Sequence, residues 1–391
     1  MTMTTRSFHP AGLALGTALG LLAAACGDDL PQGGPGADAG DQLPDGGSES
    51  ATAFAVGTDF VSAGIASAID IPALDVRQNA VDGVASTDPV IRYLDGRIYI
   101  VNRFGHDNVT VLDAASLQLV AQISTGAGSN PQDVAADGDT LYVPTLAGRG
   151  VAVLDLARPD EGVIDTIDLS RLDQVDHQPN CHSAVRIGRR LAVVCGILDR
   201  QFRPRGRGRV VVIDLDDGQR LGTILLEHKR PFGFALGVAS GPLAGDLLVP
   251  TAPRFLEPAA AGCLERVHIG EGDAPAGAGC LVDNEALGGF AAALAEAADG
   301  RIWMAVTTGF DPDDYGALGF AAAWDPEAGS LAEPLTADGV RAMDVAACPG
   351  GSLAVSDATL GVRVYAASGD EITQAPLDVG LPPVANGLVC Y

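Results

Sequence analysis

Between residues 53 and 391 the chain falls into short apolar runs separated by polar turns. The clearest example is "RIYIVNRFGHDNVTVLD" (97–113), where two runs rich in Ile, Val, Tyr and Thr flank a polar centre. Both runs alternate with period two and end at Asn or Asp, which predicts two strands joined by a loop. The same shape returns in "TLYVPT…GVAVLD" (140–155), "RLAVVC…RVVVID" (190–214) and "SLAVSD…GVRVYA" (352–366). More diverged copies are "RIWMAV…GFAAAW" (301–324), "DLLVPT…LERVHI" (246–269) and "AFAVGT…GIASAI" (53–69). Further runs follow the second strand of a pair, such as "QLVAQISTG" (118–126) and "PQDVAADGD" (131–139), and bring each unit to four short strands.

Units of four strands whose starts lie roughly 43 to 56 residues apart predict an all-β fold, a β-propeller. Counting the second runs gives seven blades. The first unit starts directly at Ala53 without a leading strand, and the chain carries an extra run at its end, "PPVANGLVCY" (382–391). The expected closure makes that C-terminal run the innermost strand of blade one. Pairing of the N- and C-terminal strands would then seal the ring and leave no long open edge. No linker divides 51–391 into two β domains, so one seven-bladed propeller is expected there.

"GSNPQDVAADGDTLYVPTLAGRGVAVLDL" (128–156) resembles the repeat of the YVTN-type (YVTN/40-residue repeat) β-propellers, secreted bacterial and archaeal proteins. The shared features are an Asn-Pro start, a Val-Ala strand, a Gly turn, a strand ending like Tyr-Val-Thr-Asn, and a Val-x-Val-Ile-Asp-like strand. The resemblance spans about 90–215 and weakens beyond; the loops at 251–262 and 308–316 are longer than the family pattern. It implies a propeller and says little about chemistry, because the wider seven-bladed group contains both lactonases and binding scaffolds.

The N-terminus changes the picture of where this propeller resides. "MTMTTRSFHPAGLALGTALGLLAAAC" (1–26) has one charge, Arg6, before an apolar run from Ala11 to Ala25. That run is too short for a membrane span, which needs ~20 residues, and has the form of a secretory signal. "LLAAAC" resembles a bacterial lipobox, although Ala23 stands where the motif prefers Leu. The resemblance implies cleavage after residue 25 and lipidation of Cys26; an ordinary signal peptide would leave Cys26 a free thiol. Residues 26–50 are rich in Gly, Pro, Asp and Ser, and predict a disordered acidic tether. The expected location is the outer membrane or cell surface, with the periplasmic face as the other option.

Six further cysteines form an even set, as expected of disulfides in an exported chain. The propeller register selects among their pairings. Cys181 and Cys195 lie on consecutive strands around Gly188-Arg189, Cys263 and Cys280 flank the outer hairpin of blade five, and Cys348 and Cys390 end neighbouring inner strands. The last pair would lock the ring, worth roughly 3–5 kcal/mol through restriction of the unfolded chain. Free thiols, or a metal held by Cys181, His182 and Cys195, are the other readings.

Charge narrows the partners. Fifty acidic residues against 24 basic ones give a net charge of −26, and Lys229 is the single lysine. A chain this acidic is not expected to bind nucleic acid and should stay a monomer. Its expected partners are the membrane, through the lipid, and an envelope protein, glycan or small molecule. Candidate ligand residues sit in loops that the fold gathers on one face around the channel. They are Arg103 and His106, then Asn130, Gln132 and Asp133, then His177, Asn180 and His182, then Lys229, Arg230 and Phe232, and Arg341. A metal-dependent lactonase would need acidic or imidazole ligands there, and Asp133 with His182 is the one suitable pair. "LDRQFRPRGRGR" (198–209) offers five arginines, either for an acidic partner or for the protein's own acids. "GFDPDDYG" (309–316) places Asp311, Asp313 and Asp314 together, a weak Ca²⁺ candidate outside the twelve-residue loop pattern. No nucleophile elbow, phosphate loop or H-E-x-x-H occurs, so nothing in the sequence argues for catalysis, and no cofactor is expected.

Overall fold

A computed structural model describes residues 51–391 except 271, 273, 312–315, 338 and 359–360. Seven antiparallel sheets follow one another around a ring. Blades two to six each contain four strands in chain order, and blade seven contains three, Ala342–Ala347, Leu353–Asp357 and Gly361–Tyr365. Blade one is completed from the far end of the chain. Pro383–Cys390 pairs antiparallel with Thr52–Thr58, with Ala53 opposite Cys390 and Ala55 opposite Leu388. The closure expected from the missing first strand is therefore present, as is the count of seven blades. The expected signal peptide, Cys26 and the expected tether lie outside the described residues, as do Asp313 and Asp314.

The period-two alternation does more here than separate a core face from a solvent face. Along the second strand of blade two, Ile98, Tyr99, Ile100 and Val101 are all buried. Ile98 and Ile100 pack with Phe54 and Val56 of blade one, while Tyr99 and Val101 pack with Leu141 and Val143 of blade three. Alternate side chains thus feed two different interfaces, because each blade is covered on both faces by its neighbours. Clusters of this kind fill all seven junctions, including blades seven and one, where Val362 and Val364 meet Ala53 and Ile69. The runs read as nearly continuous apolar strings for this reason.

The three expected disulfides are formed: Cys181–Cys195, Cys263–Cys280 and Cys348–Cys390. A bulge between Cys181 and Ser183 brings Cys181 directly opposite Cys195. These bonds remove Cys181 and Cys195 as metal ligands and as free thiols. Nδ1 or Nε2 of His228 lies within 4.8 Å of Cys263 and Cys280, but those sulfurs are bonded to each other and offer no thiolate.

Candidate functional site at the channel mouth

Loops between second and third strands, and loops entering each innermost strand, emerge on one face. A cavity of about 270 Å³ opens there among blades one to five. Arg103, His182, Arg230, Phe232, Phe234 and Asn386 supply most of its chemistry. Arg103, Gln132, His182, Arg230 and Phe232 of the lining are among the sequence candidates, whereas Phe234 and Asn386 are not.

The repeat itself explains how these side chains arrive. The residue entering the innermost strand takes a left-handed backbone in blades three, four and five: Asn130 (φ 50°), Asn180 (φ 54°) and Arg230 (φ 52°). In each, the carbonyl accepts a 3.0 Å hydrogen bond from the neighbouring loop, from Leu146, Gly196 and Ala252 respectively. Asn tolerates this conformation better than most residues and also bonds locally. Asn180 does so in both directions, donating to the Leu146 carbonyl at 3.0 Å and accepting from the Leu198 amide at 2.8 Å. Arg230 cannot repeat that pattern. Its guanidinium instead lies 4.7 Å from the centre of the Phe255 ring. Phe255 is in turn packed against Phe232, Phe290 and Phe310, with centroids 4.8–5.7 Å apart. The left-handed Gly233 lets the following backbone pass, since a side chain there would meet the Ala292 carbonyl oxygen at 2.5 Å.

The electrostatics of the lining are uneven. Arg230 has no acidic partner among the described residues, and desolvation pulls its pKa down. Arg103 is paired through Nη2 with Asp88 at 2.5 Å, while its Nε is buried without a partner among the described residues. Desolvation pushes the His182 imidazole down to about 4, against the opposing attraction of Asp133. It is therefore neutral at pH 7.

Other candidates are placed elsewhere. Asp133 is fully buried beneath the mouth and its oxygens are committed to protein groups. It accepts from Arg92 Nε and Nη2 at 2.7 and 2.8 Å, from Ser183 Oγ at 2.8 Å, and from the amides of Val134 and Ala184. Arg92 itself lies 3.9 Å from the Phe234 ring centre. The pair Asp133 and His182 is thus near in space, but only His182 faces the cavity. His106 and His177 are exposed on their loops away from it, and Lys229 is exposed as well. In the loop that carries His106, Asp107 is buried and holds the amides of Gly128 and Asn130 at 2.7 and 2.9 Å. Arg341 pairs with Asp311 at 2.5 Å, which ties up one member of the Ca²⁺ candidate set. In the arginine loop, Arg203 pairs with Asp199 and Arg205 with Asp173 and Asp176, while Arg207 and Arg209 bond backbone carbonyls of Leu226 and Leu172. Only Arg200 of the five has no partner among the described residues.

The class defined so far is a seven-bladed β-propeller with a polar and aromatic cavity on one end of its channel. No protein-family profile and no curated protein matches the sequence. Solved structures do match the fold. Apo AztD from Citrobacter koseri superposes with a TM-score of 0.50 at 13% identity, covering 88% of this chain and 98% of that one. A Kuenenia stuttgartiensis hydrazine synthase chain gives a TM-score of 0.49 at 17% identity, covering 70% of this chain and 74% of that one. At these identities the likeness is one of fold.

Proposed function

We propose that this chain is an exported lipoprotein of the YVTN-repeat kind whose propeller binds a ligand at the channel mouth and does no chemistry on it. The observation that carries the reading is the cavity itself. Its cation, neutral imidazole and aromatic walls lie in a lining drawn from loops and strand ends of five blades, and the adjacent carboxylate, Asp133, is saturated by Arg92, Ser183 and two amides. A general base or metal ligand needs a carboxylate free to act. Cavities with a few polar groups in an apolar wall are the common form of small-molecule sites.

The lipobox-like "LLAAAC" supports attachment to a membrane through Cys26. Labelling cells with a radioactive fatty acid should mark the chain, and Cys26→Ser should move it from the membrane to the soluble fraction. For the propeller, the purified chain is incubated with envelope extract and retained small molecules are identified by mass spectrometry. Retention that disappears in Phe232→Ala is the expected result. A chain that retains nothing yet hydrolyses a lactone, with stoichiometric metal by elemental analysis, would sink the reading.

A further inference from the structure

We propose that the mouth cavity selects a small organic monocarboxylate, with its charge at Arg230 and its apolar body against Phe232 and Phe234. This rests on the binding reading above and adds the ligand's chemical class.

Three observations converge on it. First, Arg230 occupies a left-handed position where the two preceding blades carry Asn. Residues held in disfavoured backbone regions concentrate where function requires the side chain. Asn130 accepts from the Phe104 amide of the neighbouring loop, and Asn180 bonds Leu146 and Leu198; Arg230 gives up that service and leaves its guanidinium at the cavity wall. Second, the guanidinium is supported on one side only. Phe255 backs it at 4.7 Å and is itself wedged among three other phenylalanines, so the cation is positioned without an acid to neutralise it. A guanidinium fork held in this way matches a carboxylate in two parallel hydrogen bonds.

Third, the local charge sums to about one. Arg103 and Arg230 bring two positive charges, Asp88 cancels one, and His182 is neutral at pH 7. A monoanion balances this set, whereas a phosphate carrying close to two charges would leave an excess within a protein whose net charge is −26. Arg103 and the imidazole of His182 add further polar groups to the lining. The aromatic side of the cavity suits a flat apolar group.

Isothermal titration of the purified full chain with phenylacetate, phenylacetamide and inorganic phosphate tests this. Phenylacetate should bind with one site, phenylacetamide at least about tenfold more weakly, and phosphate should not compete. Arg230→Asn is the variant of choice, because it restores the residue that blades three and four carry at this backbone position and so keeps the loop folded. It should weaken phenylacetate by roughly 10- to 100-fold and leave phenylacetamide unchanged. Equal affinity for the acid and the amide, with Arg230→Asn silent, would overturn the carboxylate assignment while leaving a ligand site at the mouth. Phosphate binding more tightly than phenylacetate would overturn the monoanion assignment. Absence of binding by all three probes at millimolar concentration would overturn this inference; the envelope-extract experiment then decides the broader reading separately.

Discussion

Asp133 and Asp344 occupy the same position in two repeats, and the ring treats them in opposite ways. Both open a Asp-Val-Ala-Ala segment, and both accept the amide of the next residue, at 2.8 and 2.9 Å. The register agrees: Ala136 faces Leu141 in blade three as Ala347 faces Leu353 in blade seven. Each carboxylate also reaches forward to the innermost strand of the next blade, Asp133 to the Ala184 amide and Asp344 to the Leu388 amide. They part company at the cation. Arg92 gives Asp133 two hydrogen bonds and Ser183 adds a third, whereas the residue corresponding to Ser183 on the closing strand is Gly387. Among the described residues no side-chain donor is recorded for Asp344, and burial raises its pKa to about 7 against the smaller opposing pull of amides and of Arg92. One repeat position therefore makes an ion-paired clamp at one junction and, at another, a buried acid that takes up its proton near pH 7. What differs is the set of side-chain donors, Arg92 with Ser183 at the first and Gly387 in place of the serine at the second.

The largest effect is expected where that clamp is broken. Asp133→Ala leaves the Arg92 guanidinium under-paired next to Phe234 and should cost about 3–5 kcal/mol in chemical denaturation. A loss below about 1 kcal/mol would show that the clamp is not a stabilising unit. The junction at Asp344 is expected to depend on a covalent bond instead. The double variant Cys348→Ser, Cys390→Ser opens a loop of 42 residues and should lose about 4 kcal/mol in the chain-entropy model. An unchanged midpoint would mean that strand pairing alone holds the closure.

The third prediction uses pH. The carboxyl of Asp344 is raised in the folded chain relative to an unfolded value of about 4, so the folded state holds its proton more tightly. This contribution favours the folded state below about pH 4. It is lost as pH rises towards 7, by roughly 2–4 kcal/mol in total, and levels off above that. Denaturation midpoints measured from pH 4 to 8 should show this fall, and Asp344→Asn should flatten it. A wild-type curve that rises over this window would contradict the raised carboxyl. The smallest effect is at the mouth. Arg230→Asn relaxes a left-handed arginine and should stabilise the chain by about 0.5–1 kcal/mol while carboxylate binding weakens. Destabilisation in a thermal melt would place Arg230 among the structural residues.

Much of this architecture was legible in the chain because the repeats constrain one another. The pairing of 97–102 with 108–113 could be read from alternation alone, and its copies fixed the blade. The polar centre of "RIYIVNRFGHDNVTVLD" separates on the same logic: Arg103 lines the cavity, His106 is exposed, and Asp107 is an internal brace for the next loop. The cysteine pairings followed from register, with a one-residue offset supplied by the bulge after Cys181. The site was less legible. Arg92 looks unremarkable within "PVIRYL", since only the closed ring shows that a polar residue on an innermost strand points into the channel. Asn386 comes from the far end of the sequence, and its presence beside Arg230 depends on closure. The arginine loop could not be resolved from sequence because its partners, Asp173 and Asp176, lie on the connection that enters the blade from its predecessor.

The pairing of Ala53 with Cys390 has a consequence for how the molecule is made. A chain produced from its N-terminus must hold Thr52–Thr58 ready for the whole of synthesis, because its partner is the last strand to emerge. Until then one side of that strand is an open edge, able to recruit any extended segment nearby. Its correct partner also carries the largest loop-closure cost in the fold. The Cys348–Cys390 bond bears on this interval. Once it forms, the last strand is tethered to blade seven and searches for Thr52–Thr58 from an adjacent blade, so its effective concentration there is that of a short linker and no longer that of a free end. An oxidising compartment would thus shorten the period in which one copy of the chain can complete another.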